Sequence, residues 1–361
     1  MVNRASTGKK KKAASAIRDP KKDPPRPPPQ PQSQQQHSNA VVINNDASQT
    51  LKQQQKLLDV YSTTFDSLLT SERFSTILQE IKQALYHRDF ATAFGNEGHL
   101  QTYAARWSPT RTLCYASIFA GLDKYLSQNA VAAEAAPVKM LCIGGCSAEQ
   151  VAFASFLQCT GRSGSLTLLD SAPWADVTSS LQTQLTAIPP MSKYASEAAK
   201  ASNQPLLRQD QLQCTFVQGD ALDQTVAKLR ELSGKGSLVA TLMFTLNELY
   251  TDGGIGKTTR FLTALGDALP ADSLLLVVDS PGSYSEAAIG KEKKKYPMQW
   301  LLDHTLMESE AEAYSWERLE SENSVWFRLP ETLAYPVPLE NMRYQMHLYR
   351  VCKHAQANVS S

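Results

Sequence analysis

The feature that most constrains the fold is the alternation of short apolar runs with helical stretches after residue 137. Seven runs are predicted to be strands, namely Val138–Ile143, Leu166–Leu169, Cys214–Val217, Leu238–Phe244, Leu274–Val278, Val325–Arg328 and Tyr344–Val351. The first five are almost entirely apolar and are separated by helical stretches, which is typical of a parallel sheet covered by helices on both faces. No helical stretch separates the last two runs, so we expect them to pair antiparallel at one edge.

The region before the sheet, residues 49–136, has the apolar spacing of helices. Two stripes recur at intervals of three and four residues, and they are Leu57, Leu58, Tyr61, Phe65 and Leu68, and Phe74, Ile77, Leu78, Ile81 and Leu85. We expect a third helix to begin after Ser108, because serine is a common cap and Pro109 suits the first turn. The Ala-rich residues 127–136 are predicted to be a linker, and the polar residues 186–210 an irregular insertion.

Residues 1–48 differ in composition from the rest of the chain. They contain a lysine block, Lys9–Lys12, followed by Pro-rich and Gln-rich stretches with few bulky apolar residues. Such a segment cannot bury enough apolar surface to offset the entropy of ordering, so we predict a disordered tail. The lysine block fits a nuclear-import signal or a phosphate contact, and equally a solvated tail without a specific partner.

The overall composition argues against several classes of protein. The 361 residues carry a net charge of +1, and no apolar run reaches the roughly 18–20 residues that a membrane span needs. The six cysteines form no CxxC pair and no zinc-like spacing, which favours buried thiols over a metal site. We therefore expect a soluble, intracellular protein that binds no membrane and no metal. We further expect a monomer.

Glycine and acidic residues follow the first two predicted strands, at the edge where parallel sheets bind ligands. Gly144, Gly145 and Cys146 follow the first strand. Glycines here allow close approach of the backbone to a ligand, and the next helix offers free amides to an anionic group. Asp170 ends the second strand, where a carboxylate can accept hydrogen bonds from both hydroxyls of a ribose.

The ends of the third and fourth strands complete a candidate cofactor site. Asp220 and Ala221 follow the third strand, where the carboxylate can accept from an adenine amino group, and Phe244 and Thr245 follow the fourth. The GxGxxG pattern of nicotinamide enzymes is absent from this part of the sequence. We therefore predict an α/β fold of the Rossmann-like class I methyltransferase type that binds S-adenosylmethionine (SAM). Its seven-stranded sheet is expected to be mostly parallel, with an antiparallel edge strand and a helical N-terminal layer.

Residues 252–259, DGGIGKTT, resemble the phosphate loop of partitioning-type ATPases. The ordinary GxxxxGK[ST] pattern fails because position 251 is threonine, and the next strand offers no obvious magnesium ligand other than Asp279. We interpret the segment as a flexible loop whose Lys257 contacts a substrate phosphate. An ATPase is the less favoured alternative.

Four segments carry a resemblance to a known family: YAARWSPTR at 103–111, CIGG at 142–145, TLNEL at 245–249 and ENMRYQM at 340–346. Together they resemble the fungal 25S ribosomal RNA uridine-N3 methyltransferases, from about residue 55 to the end of the chain. The resemblance implies transfer of a methyl group from SAM to N3 of a uridine in large-subunit ribosomal RNA. Residues 137–361 would form the methyltransferase domain.

The implied reaction requires the N3–H group of uridine to lose its proton. Glu248 is the candidate general base, and Asn247 is the candidate residue that orients the pyrimidine. For Glu248 the alternative is a surface carboxylate in the loop after the fourth strand.

Six further residues are candidates for contacting the RNA, namely Arg106, Trp107, Arg111, Lys257, Lys293 and Lys294. Arginine and aromatic side chains grip phosphates and stack on bases. Alternatives stay open, because Trp107 could join the helical layer to the sheet. Arg111 could pair with a carboxylate, and Arg106 or Arg111 could bind the cofactor carboxylate. The lysines at 293 and 294 could belong to a solvated charge run.

We expect ribosomal RNA or a pre-ribosomal particle as the partner, and the nucleus or nucleolus as the location, with the cytoplasm as a further possibility. A non-catalytic RNA-binding or ribosome-assembly factor that keeps the methyltransferase fold is the alternative function. Binding of SAM distinguishes the two.

Overall fold

The computed structural model describes residues 50–127, 137–145, 147–282, 284–289, 292–308 and 311–354. The predicted disordered tail, residues 1–48, lies outside the described residues, as do residues 128–136 of the predicted linker. Within the described part of the chain, no helix is both long and apolar enough to cross a membrane.

The central element is a seven-stranded sheet. Its strands are β1 Val138–Ile143, β2 Gly164–Asp170, β3 Leu212–Gln218, β4 Val239–Met243, β5 Leu274–Asp279, β8 Tyr314–Phe327 and β9 Met342–Lys353. They lie in the order β3-β2-β1-β4-β5-β9-β8. Strands β1 to β5 are parallel, whereas β9 pairs antiparallel with both β5 and β8. The predicted sheet, with antiparallel pairing of its last two strands, is therefore confirmed.

A small hairpin follows β5 and was not predicted from the sequence. Its strands, β6 Tyr284–Ile289 and β7 Glu292–Pro297, pair antiparallel. The lysine-rich composition of β7 conceals the strand, because lysine and glutamate are depleted in strands. The predicted basic residues Lys293 and Lys294 thus lie in a hairpin that leaves the carboxyl end of β5.

Helices cover both faces of the sheet. They are α1 Leu51–Thr64, α2 Asp66–Leu69, α3 Phe74–Tyr86, α4 Phe90–Ala93, α5 Glu97–Ser127, α6 Ser147–Thr160, α7 Ala175–Thr186, α8 Glu197–Ser202, α9 Val226–Ser233, α10 Leu246–Asp252, α11 Gly254–Ala268 and α12 Met298–Met307. Side chains of α1, α5, α6 and α7 share one apolar cluster with strand residues such as Met140 and Leu276. Those of α9 to α12 pack with strand residues of the opposite face, such as Leu141 and Val277. The N-terminal helices therefore bury their apolar stripes in the core of the sheet itself.

The helix that contains Pro109 begins earlier than predicted. Helix α5 includes Pro109 in its interior, whereas the sequence pattern predicted a start after Ser108. Proline has no N–H group to donate to the carbonyl four residues earlier, here that of Ala105. The hydroxyl of Tyr335 donates to this carbonyl at 2.7 Å. The helix continues through the proline because a distant side chain supplies the missing hydrogen bond.

The glycine-rich segment 252–259 is helical rather than a flexible loop. Helix α10 ends at Asp252 and α11 begins at Gly254, so the segment forms a helix–helix junction. The buried hydroxyl of Thr258 donates to the carbonyl of Leu249 at 2.9 Å and thereby joins the two helices. The prediction of a flexible loop is wrong. A phosphate loop needs an open turn of backbone amides, which these helical residues do not provide.

The strand order creates a crevice at the carboxyl end of β1. Strands β2 and β3 extend from β1 in one direction, whereas β4 and β5 extend in the other. Open parallel sheets bind ligands outside the carboxyl ends of their strands at such a reversal. The functional site is therefore to be sought beside the segments that follow β1 and β4.

Candidate functional site

An open cavity lies at this crevice. Of the eight residues predicted to bind the cofactor, seven line the cavity, and they are Gly144, Gly145, Asp170, Asp220, Ala221, Phe244 and Thr245. The eighth, Cys146, lies outside the described residues. The fold thus brings together side chains and backbone from four strand ends that are up to about 100 residues apart, as expected at a switch point.

The turn after β1 has room for glycine alone. Gly144 has φ +73°, and a Cβ atom on it would lie 2.1 Å from Cγ2 of Thr245. The hydroxyl of Thr245 donates to the carbonyl of Gly144 at 2.8 Å, which ties the β4 end to the β1 end. A Cβ atom on Gly145 would lie 2.2 Å from Oε1 of Glu149. Glycine is therefore required at position 144 by its positive φ and the close approach of Thr245, whereas a side chain at position 145 would displace the carboxyl end of Glu149.

Two aspartates stand at the ends of β2 and β3. The carboxylate of Asp170 accepts a hydrogen bond from the N–H of Ala172 at 2.8 Å. Burial raises the pKa of Asp170 to about 6, although its hydrogen bonds act in the opposite direction. Asp220 is exposed and caps a short 3₁₀ turn by accepting from the N–H of Leu222 at 2.8 Å. Both carboxylates keep further acceptor capacity toward the cavity.

Glu248 and Arg111 face the cavity from α10 and α5. Burial raises the pKa of Glu248 to about 7, with Arg111 lowering it and Asp279 raising it. The guanidinium of Arg111 donates to the hydroxyl of Tyr103 at 2.5 Å and lies 4.9 Å from the centre of the Phe244 ring. Although burial disfavours its charge, the neighbouring acidic groups raise the pKa of Arg111. The cavity therefore holds a firmly charged guanidinium beside a carboxyl group that ionises near neutral pH.

Glu149 is a buried member of the site that was not predicted from the sequence. It lies in the first turn of α6 and is 4% exposed. Burial raises its pKa to about 7, its own backbone hydrogen bond and Arg111 lower it, and Asp170 raises it. From the sequence, Glu149 resembles any acidic residue at a helix start, where the dipole favours it. The sequence signal that could have identified Glu149 is a carboxyl side chain shortly after the glycine turn.

Asp279, at the end of β5, was also missed as a site residue. It accepts hydrogen bonds from the N–H of Asn247 at 3.0 Å and from the N–H of Ser280 at 2.7 Å. Burial raises its pKa to about 6, and these two bonds and Arg111 oppose the rise. By holding the first turn of α10, Asp279 positions the helix that carries Glu248.

Aromatic rings from the N-terminal helices and from the start of α7 form one wall of the cavity. Phe90 and Phe94 come from the α4 region, Tyr103 from α5, and Trp174 from the start of α7. The Phe94 and Tyr103 rings are 5.0 Å apart and nearly perpendicular, and Tyr103 and Trp174 are 6.1 Å apart. Such faces suit a flat heterocycle. The helical layer thus contributes to the site as well as to the core.

Several predicted residues are not among those that line the cavity. Arg106 is buried and pairs with Glu340, and Trp107 packs on Tyr103 with ring centres 4.9 Å apart. Asn247 contributes its backbone N–H to Asp279, while its buried Oδ1 has no partner among the described residues. Lys257 is exposed in the first turn of α11, and Lys293 and Lys294 lie on β7, where only the backbone is described. Their roles toward RNA stay predictions.

The comparison with known families identifies the kind of protein. Residues 61–350 match the model of a family of SAM-dependent methyltransferases. The chain belongs to this family. The prediction of a SAM-dependent methyltransferase from the strand ends and the quoted segments is therefore confirmed, as is SAM as the cofactor.

A curated relative of this methyltransferase is the 25S rRNA (uridine(2843)-N(3))-methyltransferase of Saccharomyces cerevisiae. The two are 29% identical over 328 residues, which cover 82% of this chain and 85% of the yeast protein. The family resemblance noted in the sequence is thus confirmed.

Among solved structures, the N-methyltransferase NodS from Bradyrhizobium japonicum, in complex with S-adenosyl-L-homocysteine, is 14% identical. The match covers 70% of this methyltransferase and 95% of that chain, with a TM-score of 0.36. An O-methyltransferase family protein from Burkholderia thailandensis is 9% identical, with coverage of 78% and 73% and a TM-score of 0.34.

The residues around the cavity fit SAM, which carries a carboxylate, two cationic groups, a ribose and an adenine. The turn at Gly144 and Gly145 leaves backbone close to the cavity at the start of α6, where a helix offers amides to a carboxylate. Asp170 can accept from the ribose hydroxyls and Asp220 from the adenine amino group. The buried carboxyl of Glu149 provides negative charge for a cationic ligand. When bound, SAM supplies the methyl group.

Proposed function

We propose that this methyltransferase transfers the methyl group of SAM to N3 of a uridine in large-subunit ribosomal RNA. The observation that carries the proposal is Glu248, a carboxyl group in the cavity whose pKa burial raises to about 7. The activity named for the yeast relative supports the same substrate.

Glu248 has the properties that a general base for uridine N3 needs. The N3–H group is a weak acid, and the nitrogen becomes a good nucleophile after the proton is removed. A general base works best when its pKa lies near the working pH. Glu248 meets this condition because it is largely removed from water while Arg111 keeps its ionised form accessible.

The surroundings of Glu248 restrain its position. It lies in the first turn of α10, which Asp279 holds through the N–H of Asn247. Thr245, immediately before the helix, is tied to the carbonyl of Gly144. The candidate base is therefore held by the same contacts that shape the glycine turn, which favours a fixed distance between base and cofactor.

The test is methylation of ribosomal RNA prepared from cells that lack the protein. Purified wild-type protein with SAM should generate 3-methyluridine, detected by mass spectrometry of digested nucleosides. In single-turnover reactions, Glu248→Gln should reduce the rate by about 10²–10⁴-fold, with a change in SAM affinity of less than about threefold. Glu231→Gln, which removes an exposed carboxylate on α9, is the matched control. If Glu248→Gln methylates at the wild-type rate, the assignment of the base is wrong.

We also propose that the protein acts as a monomer in the nucleus or nucleolus on RNA or a pre-ribosomal particle. The lysine block at Lys9–Lys12 supports this location. A fluorescent fusion in which these lysines are replaced by glutamine should lose nucleolar enrichment. Light scattering of the pure protein should give the mass of one chain.

A further inference from the structure

Arg111 is a half-buried cation with unused hydrogen-bonding capacity. It is the one cationic side chain among the described residues that line the cavity. One guanidinium nitrogen donates to Tyr103, and its other N–H groups have no partner among the described residues. Phe244, at the end of β4, packs against its face at 4.9 Å. Arg111 is therefore held in place with donors left for a ligand.

The groups around Arg111 are mostly acidic. Tyr103 and Tyr115 on α5, Glu149 on α6 and Glu248 on α10 all interact with its charge, as does Asp279 at the end of β5. None of the carboxylates in the described residues forms a direct ion pair with it. A half-buried guanidinium without a contacting carboxylate is costly, which favours a role in binding an anionic group.

Deprotonation of uridine at N3 creates such a group beside Glu248. The proton leaves N3 for a carboxylate oxygen of Glu248, and the electron pair of the N–H bond stays on the ring. The charge then spreads over N3 and the two carbonyl oxygens, O2 and O4. The negative charge thus moves from Glu248 to the ring within the cavity that Arg111 also lines. The nitrogen pair next bonds to the methyl carbon, the carbon–sulfur pair leaves with sulfur, and the ring is neutral again.

We propose that Arg111 is a second catalytic residue, which donates to a carbonyl oxygen of the target uracil and stabilises the ring after N3 loses its proton. This inference rests on the proposed function. Its physical basis is that preorganised donors in a water-poor site stabilise charge that develops during the reaction. The planar guanidinium is suited to such an oxygen because its donors point in fixed directions.

The test uses Arg111→Gln together with RNA that carries 5-fluorouridine at the target position. Fluorine makes N3–H more acidic, so the ring anion needs less stabilisation. On uridine RNA, the single-turnover rate of Arg111→Gln should fall by about 10²–10³-fold. On 5-fluorouridine RNA, the variant should recover by about tenfold more than wild type. Its rate should also keep rising at alkaline pH, where the wild-type rate has levelled off.

Two further variants serve as a conservative substitution and as a control. Arg111→Lys retains the charge without the planar donors, so its 5-fluorouridine effect should lie between those of wild type and Arg111→Gln. It carries the same test if Arg111→Gln does not fold. Arg73→Gln removes an exposed guanidinium of the helical layer and should show the wild-type ratio of the two substrates. Calorimetry should give a SAM affinity for Arg111→Gln within about threefold of wild type.

Two results would overturn the inference. If SAM affinity falls as much as the rate and 5-fluorouridine gives no extra recovery, Arg111 binds the cofactor carboxylate instead. If wild-type protein binds SAM but produces no 3-methyluridine from either RNA, the proposed function itself fails, and the inference fails with it.

Discussion

Replacing Gly144 with alanine tests how closely β1 and β4 approach at the cofactor turn. A side chain in the left-handed region costs about 1–2 kcal/mol. The new Cβ would also lie 2.1 Å from Cγ2 of Thr245 and 2.6 Å from its hydroxyl oxygen. Overpacking of this kind costs about 1–3 kcal/mol. We therefore expect Gly144→Ala to lower the free energy of unfolding by about 2–5 kcal/mol.

Two controls separate the backbone-strain contribution from the overpacking contribution in this prediction. Gly161 has φ +69°, but a Cβ atom added to it would have nothing within 4 Å, so Gly161→Ala reports the backbone term alone. In the Gly144→Ala background, Thr245→Ser removes the nearest clashing carbon but keeps the hydroxyl 2.6 Å from the new Cβ, so it should recover only the part of the overpacking cost that Cγ2 contributes. Urea unfolding of the four proteins measures the energies, and calorimetry measures SAM affinity. If Gly144→Ala costs no more than Gly161→Ala, the close approach does not constrain this turn.

Three further predictions concern charge, cofactor and helix. Burial raises the pKa of Glu149 to about 7, and a cationic ligand favours its ionised form, so SAM binding should release a proton. SAM affinity should then rise about tenfold between about pH 6 and 8 as this group ionises. Calorimetry in two buffers measures whether protons are released or taken up on binding, and proton uptake would contradict the prediction. Asp170→Asn should weaken SAM binding by about 10–100-fold, since a charged acceptor is lost; unchanged calorimetric affinity would remove Asp170 from the site. Tyr335→Phe leaves the carbonyl of Ala105 unpaired and should lower the free energy of unfolding by about 1–3 kcal/mol at unchanged SAM affinity; a stability equal to wild type in urea would show that water replaces the hydroxyl.

The sheet could be predicted from the sequence because the strand signals are local. Strands such as the one ending at Ile143 are buried on both faces and therefore form continuous apolar runs. This sequence pattern does not depend on how the helices are arranged around the sheet. Charge conceals the same signal in β7, whose strand was missed. The start of α5 was predicted wrongly for a different reason. Pro109 predicts a helix start from its local sequence, but the tyrosine that supplies the hydrogen bond missing at the proline lies more than 200 residues away.

The candidate site shows the same division between local and distant information. The residues that end strands, such as Gly144 and Asp170, could be placed from the sequence, because the carboxyl ends of parallel strands meet at one edge. The glycine pattern at 253–256 led to the wrong prediction of a flexible loop, since its helical state depends on contacts of Thr258 with the preceding helix.

The sequence by itself determined the class of fold, the cofactor turn and the acidic strand ends, because each of these is encoded in consecutive residues. Only the tertiary structure decided which charges share the cavity. The fold places Glu149, Glu248 and Arg111 around the cavity, whereas Arg106 lies outside the cavity and pairs with Glu340. Two arginines of one helix, five residues apart, look alike in the sequence. Helix geometry and the packing of α5 against the sheet place one guanidinium against Glu340 and the other against the cavity.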